Sequence, residues 1–336
     1  MFDYIKINLQ LFATTQVTTQ ESLTAEMKTF YDMTLIDEAS PALVHEQFGQ
    51  KRPIPQGGGK TIEFRKFSPL PKATTPLTEG VTPDGKSLTV SAITATVSQY
   101  GDFIVQSDVL ELTAIDNTIL EATKLLGKQA GLTLDTIVRN VLVAGTNVSY
   151  ASKWASGVET EVTSRKNLDA TSTLKVDTIQ RVVAKLRANN APTIGGKYVA
   201  VIHPYVAYDL MRDPEWIDAH KYAQPTNLFE GEIGEIGGVR FVQTSEAKIF
   251  KDDTTPTGLA VFACLFMGEG AYGVTEITGG GLQTIVKQKG SAGTADPLDQ
   301  RSSVGWKGMK TAKILVDNYL VRVECTSKFS ATANAN

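Results

Sequence analysis

The chain contains 336 residues, of which 42% are apolar and 21% are charged, and these fractions are ordinary for a folded protein. This length exceeds what one compact core usually supports, so we expect two or more lobes. The formal net charge of −3 lacks the basic excess that is typical of nucleic-acid readers. It is compatible with a surface that encloses DNA without pairing closely with its phosphates.

The N-terminal stretch MFDYIKINLQLFA does not fit an export signal, because charged and amide side chains interrupt its apolar residues: Asp3, Lys6, Asn8 and Gln10. No segment approaches the roughly 20 consecutive apolar residues that span a bilayer. We therefore expect neither an obvious export route nor a membrane partner.

The cysteines and histidines do not form a metal-ligand pattern. Cys264 and Cys325 lie in apolar, strand-like contexts and are expected to be buried free thiols. His45, His203 and His220 are widely separated, and none has a cysteine or second histidine at metal-ligand spacing. The sequence therefore predicts no metal site, and it contains no motif that calls for a cofactor.

The stretch QGGGKT, at positions 56–61, resembles the end of a phosphate-binding P-loop. Ile54 stands where the pattern G-x-x-x-x-G-K-[ST] requires its first glycine. The following TIEFRKF alternates apolar and polar residues, which predicts a strand rather than the helix that a P-loop opens. We interpret the glycines as a flexible turn that leads into a hairpin.

Two early segments are predicted to need another molecule for their burial. Residues 14–45 begin with a Thr- and Gln-rich stretch of low apolar density, which indicates an arm. Between about 57 and 108, strand-like segments flank a Pro-, Thr- and Gly-rich stretch, which predicts a long two-stranded hairpin. A change of face near Ala92 and Ile93 predicts a bulge or bend. Because such a hairpin is marginally stable alone, we expect it to lie on a neighbouring molecule.

Between positions 112 and 141, apolar residues recur every three or four residues, which predicts a long helix. Asp108 is its expected cap and Gly145 its expected end. Gly127 and Gly131 leave open the alternative of two shorter helices with a kink.

The second half alternates helices and strands without the Gly-rich turn of a dinucleotide fold. Asp177 is expected to cap a helix, and a buried strand and a helix that starts at Pro204 follow. A loop-rich stretch is expected up to residue 305. Alternation near the end predicts a strand with Arg322, Glu324 and Thr326 on an exposed face, and the tail SATANAN is expected to fray.

One cluster suggests chemistry. Four carboxylates lie near His203 and His220 in the sequence, and a hydrolase could be built from them: Asp209, Asp213, Glu215 and Asp218. Carboxylates beside helix ends and turns more often cap the helix or face solvent. The hydrolase is kept as an alternative, whereas the favoured interpretation is a structural protein that is not an enzyme.

The order of parts resembles the HK97-type major capsid protein of tailed bacteriophages. LFEGEIGEIGGVRFVQTSEA, preceded by VIHPYVAYDLMRDPEWIDAHKY, resembles the N4-gp56 family of these proteins, and KINLQLFA resembles the start of many phage capsid proteins. The resemblance implies an α+β, HK97-like capsid fold. Its parts would be an N-terminal arm (1–49), an extended β-hairpin loop (50–106), a peripheral domain with a spine helix (107–175), an axial domain (176–300), and a return strand and tail of the peripheral domain (301–336).

The resemblance also implies self-assembly as pentamers and hexamers into an icosahedral shell around double-stranded DNA, without sequence-specific contacts. The implied location is the virion, after assembly in the host cytoplasm. Portal and scaffolding proteins would be partners, and decoration proteins are a further option. A protein compartment of the encapsulin type, built around protein cargo on the same fold, is the alternative within this class.

Overall fold

The computed structural model describes residues 43–222 and 232–336, apart from gaps at 68–69, 78, 83, 114–117, 156, 257 and 292–295, together with residues 35, 38 and 39. The helices with described bounds are α1 (Asp108–Thr113), α2 (Thr118–Val143), α3 (Val176–Ala188), α4 (Pro204–Met211) and α5 (Pro214–Tyr222).

The described strands of the first half are β1 (Gln50–Lys51), β2 (Thr61–Phe67), β3 (Val90–Thr96), β4 (Ser98–Ser107), β5 (Val148–Tyr150), β6 (Lys153–Ala155) and β7 (Val158–Thr160). Those of the second half are β8 (Tyr198–Ile202), β9 (Glu232–Ile236), β10 (Val239–Gln243), β11 (Ile249–Phe250), β12 (Val261–Met267), β13 (Tyr272–Thr275), β14 (Gln283–Lys287), β15 (Arg301–Ile314) and β16 (Leu320–Cys325).

The larger sheet has seven strands in the order β5-β16-β12-β8-β10-β9, with β11 also paired to β12. Every residue of β8 and β12 is buried, because both faces of these central strands are covered. Ile179 and Leu186 of α3 pack on one face with Phe266. Leu142 of α2 packs on the other face with Leu265. Near-continuous apolar strands are expected where a sheet is covered on both sides.

The smaller sheet has five strands in the order β1-β13-β15-β14, and β4 pairs with β15 over ten residues. Even-numbered residues of β15 face α2, where Val304 and Trp306 pack against Leu126 and Ala130. Odd-numbered residues point to the opposite side, as the period of two requires. Helix α2 therefore packs its first half on the smaller sheet and its last turns on the larger one.

Helix α2 passes through Gly127 and Gly131 without interruption, so the two glycines do not divide it. A side chain on Gly127 would begin 2.9 Å from the main-chain oxygen of Leu35, which shows that this glycine permits a close approach. The prediction of one helix that begins at Asp108 is not tested between α1 and α2, because residues 114–117 lie outside the described residues. The expected end is confirmed, because the Gly145 amide donates to the carbonyl of Leu142 (3.2 Å) after the helix ends.

Two predicted helix caps are wrong by one or two positions. Ser107, not Asp108, accepts a hydrogen bond from the Leu110 amide, at 3.3 Å. Asp177 lies in the first turn of α3, which follows Lys175. An acidic residue in the first turn still favours the helix through the helix dipole.

The chain after residue 300 departs from the prediction in two places. Positions 301–305, expected to be loop, begin the long strand β15. The tail is not frayed but docked: Asn336 accepts from the Ile249 amide (2.9 Å), and the Ala331 carbonyl accepts from the Ala260 amide (2.7 Å). These contacts join the tail to β11 and to the residue just before β12.

The face of β16 that was predicted to be exposed is buried. Glu324 has no exposed surface, and it lies between two arginines. Arg165 makes two contacts with its carboxylate, at 2.6 and 2.7 Å, and the Nε atom of Arg322 lies 2.9 Å from it. The hydrogen bond to Glu324 raises the pKa of Arg165. Glu324 is therefore a buried residue whose charge is balanced by two arginines, although the alternation in the sequence is that of a strand with one exposed face.

Glu324→Gln should destabilise the protein by about 3–5 kcal/mol, because it leaves two shielded arginines without a counter-charge. Urea unfolding followed by circular dichroism would measure the change. Glu235→Gln is the matched control, because Glu235 pairs with Lys197 near the surface, and such pairs contribute at most about 1 kcal/mol. Equal losses for the two variants would contradict the assigned role of Glu324.

Candidate assembly surfaces

The segment before the predicted hairpin is fixed to α2 by a buried polar cluster. The His45 amide donates to Asp135 (2.7 Å), and the Nδ1 atom of His45 lies 2.6 Å from the same carboxylate. The Tyr272 hydroxyl donates to the His45 carbonyl, and burial raises the pKa of Tyr272. His45 and Asp135 are both fully buried. Nothing in the sequence marked these residues as partners, because 90 positions separate them.

The next residues are tied to the smaller sheet. Lys310 of β15 pairs with Glu46, and both side chains are largely buried. Strand β1 runs parallel to β13, and the Ile54 amide donates to the Glu276 carbonyl at 2.8 Å. The chain therefore enters the glycine turn from a rigid base.

The turn at Gly57–Gly59 connects two strands, β1 and β2, and does not have the geometry of a phosphate loop. Gly57 and Gly59 have φ angles of 83° and 85°, which side-chain-bearing residues rarely adopt. A strand, β2, begins at Thr61. The predicted strand is confirmed, and the helix that a P-loop requires is not formed at this position. Lys60 is exposed.

Strands β2 and β3 pair from Thr61↔Thr96 to Phe67↔Val90 without a break in register. The predicted change of face at Ala92 and Ile93 is therefore wrong. The change occurs at Val97, where the chain leaves β3, paired to β2, and enters β4, paired to β15. Small alanines on both sides of β3 hid the true position of this change.

The base of this hairpin is held by one aromatic contact. Phe64 is 3% exposed, and its ring lies over Gly273 of β13. A side chain on Gly273 would begin 2.8 Å from the ring, so a glycine at this strand position permits the close approach of Phe64. Beyond Phe64 the exposed residues of β2 have no such cover.

The chain from residue 67 to 112 leaves large apolar side chains in solvent: Phe67, Leu70, Leu77, Val81, Leu88, Val90, Phe103, Val105, Val109, Leu110 and Leu112. A monomer gains nothing from exposing so much apolar surface in one segment. Contiguous exposed apolar surface of this kind marks a protein interaction site. This segment, which we call the extended segment, is the strongest candidate for contact between molecules.

The cluster proposed for a hydrolase serves structural roles. The Nδ1 atom of His203 accepts from the Tyr205 amide (3.1 Å) and so caps α4, and its ring packs on Phe262. Asp209 accepts from the Lys328 amide (2.8 Å). Asp213 accepts from the Val176 amide (3.1 Å). Burial alone lowers the pKa of His203 to about 4, without a contribution from any carboxylate.

Two of the remaining members of that cluster, Glu215 and Asp218, lie on α5. Glu215 follows Asp213, whose carboxylate accepts from the Glu215 amide at 3.3 Å. Asp218 has a partner of its own, and the side chain of His220 lies outside the described residues. Within the described part of the chain, no group of three His, Cys, Asp or Glu side chains could hold a metal ion. Cys264 and Cys325 are buried and free, with sulfur atoms 3.7 Å apart, as predicted.

A family model described as phage capsid protein matches residues 90–321. The chain belongs to the phage capsid protein family. The match starts at β3 and ends in β16, so it contains α2 and most strands of both sheets. It does not decide the N4-gp56 subfamily, which stays a prediction. Among curated protein sequences, none matches the chain.

Solved capsid structures share the fold of this phage capsid protein. The capsid of Ralstonia phage GP4 is 15% identical, with a TM-score of 0.65 over 86% of this chain and 89% of that one. The cyanophage Pam1 capsid is 13% identical, with a TM-score of 0.65 over 88% and 93%. A virus-like particle from Pyrococcus furiosus is 9% identical, with a TM-score of 0.50 over 89% and 99%. The predicted α+β, HK97-like capsid fold is confirmed.

Among the described helices, none combines the length and the apolar character that a membrane span requires.

His203, which caps α4, predicts that the stability of this capsid protein depends on pH in the acidic range. His203 is protonated near pH 6.5 when unfolded but only near pH 4 when folded. The contribution of His203 to the free energy of unfolding is therefore complete above pH 6.5. It is lost as the pH falls towards 4, by up to about 1.4 kcal/mol per pH unit.

His203→Asn keeps an acceptor for the Tyr205 amide but cannot be protonated. Between pH 7 and pH 5 the variant should lose about 2 kcal/mol less stability than the unsubstituted protein, measured from urea unfolding at each pH. An equal loss for both proteins would show that another group controls the acid response.

Proposed function

We propose that this chain is the major capsid protein of a tailed bacteriophage, and that its copies assemble as pentamers and hexamers into an icosahedral shell around double-stranded DNA. The observation that carries the proposal is the extended segment, which is rich in exposed apolar residues and fixed to a rigid base. Membership of the phage capsid protein family and the shared fold of solved phage capsids support it.

The strand pairing supports a division of the chain that differs from the sequence boundaries. We place the arm at 1–49 and the extended loop at 50–97. In our proposal the peripheral domain contains α2 and the smaller sheet except β1, and thus takes in β4 and β14. The axial domain contains the larger sheet with α3 to α5. Strand β16 belongs to it, because β16 pairs with β12.

The proposed location is the virion, with assembly in the host cytoplasm. Portal and scaffolding proteins are the expected partners, with decoration proteins as an option. A net charge of −3 supports contacts with packaged DNA that are neither tight nor sequence-specific. The described roles of His203 and Asp213 as cap residues favour a structural protein over the hydrolase.

An encapsulin-type compartment is the second candidate, and the shared fold with the Pyrococcus furiosus particle is the observation in its favour. The family match to phage capsid proteins over 90–321 supports the phage assignment more strongly. Nuclease-protected DNA inside particles from the natural source would separate the two, because a protein compartment holds protein cargo instead.

Phe67→Asp combined with Val90→Asp should abolish closed shells while leaving the subunit folded. The two residues face each other across β2 and β3 and are 61% and 48% exposed, so charge there affects contacts with other molecules more than the subunit. Electron microscopy of the purified protein would count shells, and circular dichroism would check folding.

The matched control is Val158→Asp, because Val158 is 65% exposed but lies on β7, outside the extended segment. It should assemble normally. Equal loss of shells in the control would remove the special role of the extended segment. If the unsubstituted protein forms only monomers or dimers under all conditions, the capsid proposal fails.

The glycine turn should act as the hinge of the extended loop. In shells determined at high resolution, we expect Gly57–Gly59 to differ in backbone angles between subunits in unlike positions, and Lys60 to pair with a neighbour's carboxylate. Identical angles in every subunit would exclude the hinge. Gly59→Ala, at φ of 85°, should lower the yield of closed shells, whereas Gly85→Ala, a glycine without positive φ, should not.

A further inference from the structure

One face of the smaller sheet carries basic and no acidic side chains. This face, which we call the outer face, consists of the odd-numbered residues of β4, β14 and β15, on the side opposite α2. It contains Lys287, Arg301, Lys307 and Lys313, and no carboxylate among these strand residues. Because the whole chain has a net charge of −3, this is a local concentration of positive charge.

Three of these cations have no carboxylate partner among the described residues. Arg301 lies 3.8 Å from Asp296 at the end of the face. Lys287, Lys307 and Lys313 form no ion pair with any carboxylate in the described part of the chain. Lysines that pair with no described carboxylate, on strands that place no acidic residue on this face, produce a positive potential that attracts anionic groups.

The outer face also has an apolar centre. Phe103 is 67% exposed and Val105 is 49% exposed. Phe103 pairs with Gly305, which in turn pairs with Ile285. Gly305 must lack a side chain, because one would begin 2.7 Å from Phe103. The row Phe103–Gly305–Ile285 therefore forms a low apolar strip across three strands.

The spacing of cations around this strip is regular. Lys307 lies two residues after Gly305 on β15 and pairs with Gln283. Lys287 pairs with Ser303, which lies two residues before Gly305 on β15. The two lysines therefore flank the strip at a separation of four residues along β15, or about 13 Å. In an extended peptide, side chains at positions one, three and five point the same way over the same length.

The partner that fits is protein rather than nucleic acid. Phosphates would satisfy the lysines, but a DNA duplex offers its charged backbone and no apolar surface for Phe103 and Ile285. The extended loop of another copy does not fit by charge either. Positions 60–90 contain five basic and three acidic residues, a net charge of +2, so like charges would face each other.

We propose that the outer face binds an acidic segment of a separate protein, in which carboxylates flank an apolar side chain on the same side of the chain. Lys287 and Lys307 pair with the carboxylates, and the strip at Phe103 covers the apolar side chain. A single subunit presents all of these residues, so binding to the outer face can be measured on unassembled protein, although Phe103 and Val105 also belong to the extended segment. The test of this proposal is therefore separate from that of the proposed function.

The test uses the full-length protein in its unassembled form and fluorescence anisotropy with labelled synthetic peptides. The probe repeats Glu-Thr-Leu-Thr three times and ends in Glu, so that Glu and Leu share one side when the peptide is extended. The control peptide has the same composition in repeats of Glu-Leu-Thr-Thr, which places Glu and Leu on opposite sides. The probe should bind at least tenfold more tightly than the control peptide at low salt.

Lys287→Gln combined with Lys307→Gln should weaken binding of the probe at least tenfold. Phe103→Ser should weaken it severalfold, which a purely electrostatic surface would not show. The matched control is Lys166→Gln combined with Lys328→Gln, which removes the same charge from exposed lysines elsewhere and should change the affinity less than twofold. Circular dichroism would verify that each variant is folded.

Four outcomes would overturn the proposal. Equal binding of the two peptides would show that the spacing is not recognised. Equal weakening by the two double lysine variants would show that the probe responds only to the net charge of the protein. Tighter binding by duplex or single-stranded DNA, lost in the same variants, would make the surface a nucleic-acid site. Tighter binding by a peptide of residues 20–34 of this chain would make the occupant a second copy.

Discussion

The structure depends on the position of α2 between two sheets, and buried charges on the helix fix that position. Asp135 is fully buried and contacts His45. One turn further, Arg139 is 3% exposed and donates to the Glu246 carbonyl at 2.7 Å. A buried charge without its partner costs several kcal/mol. A slip of α2 along either sheet would break both sets of contacts, so their cost selects one register.

The last turn of α2 connects this helix to the larger sheet through its unpaired carbonyls. Arg322 donates to the carbonyls of Val143 and Gly145, where a cation also complements the helix dipole. The same arginine contacts Glu324, which Arg165 holds from the other side. These contacts join helix α2, β16 and the turn at Arg165 into one frame. The extended loop leaves this frame through the glycine turn at Gly57–Gly59. A shell subunit needs this combination, because a fixed frame sets the curvature while a projecting loop adapts to each neighbour.

The sequence predicted the parts whose pattern is local. The apolar spacing of Leu126, Ala130 and Leu134 identified α2, and the apolar run before Pro204 identified the buried strand β8. Where two sides of an element are covered, alternation no longer reports exposure, and Glu324 was assigned to solvent for that reason. The pairing of His45 with Asp135 and the docking of Asn336 depend on distant contacts, which no local pattern encodes. The change of sheet at Val97 was misplaced because alanines fit either face of a strand.

The two contact surfaces differ in the force that acts on them. The extended loop has a net charge of +2 between 60 and 90, so its charges do not complement the lysines of the outer face. We expect apolar burial to contribute to the attraction for the loop, through residues such as Phe67 and Val90, beside ion pairs such as the one expected for Lys60. Apolar burial is not screened by salt, whereas pairing between exposed charges weakens as the ionic strength rises. The same subunit can then keep its neighbours at a salt concentration that releases an acidic partner from the outer face.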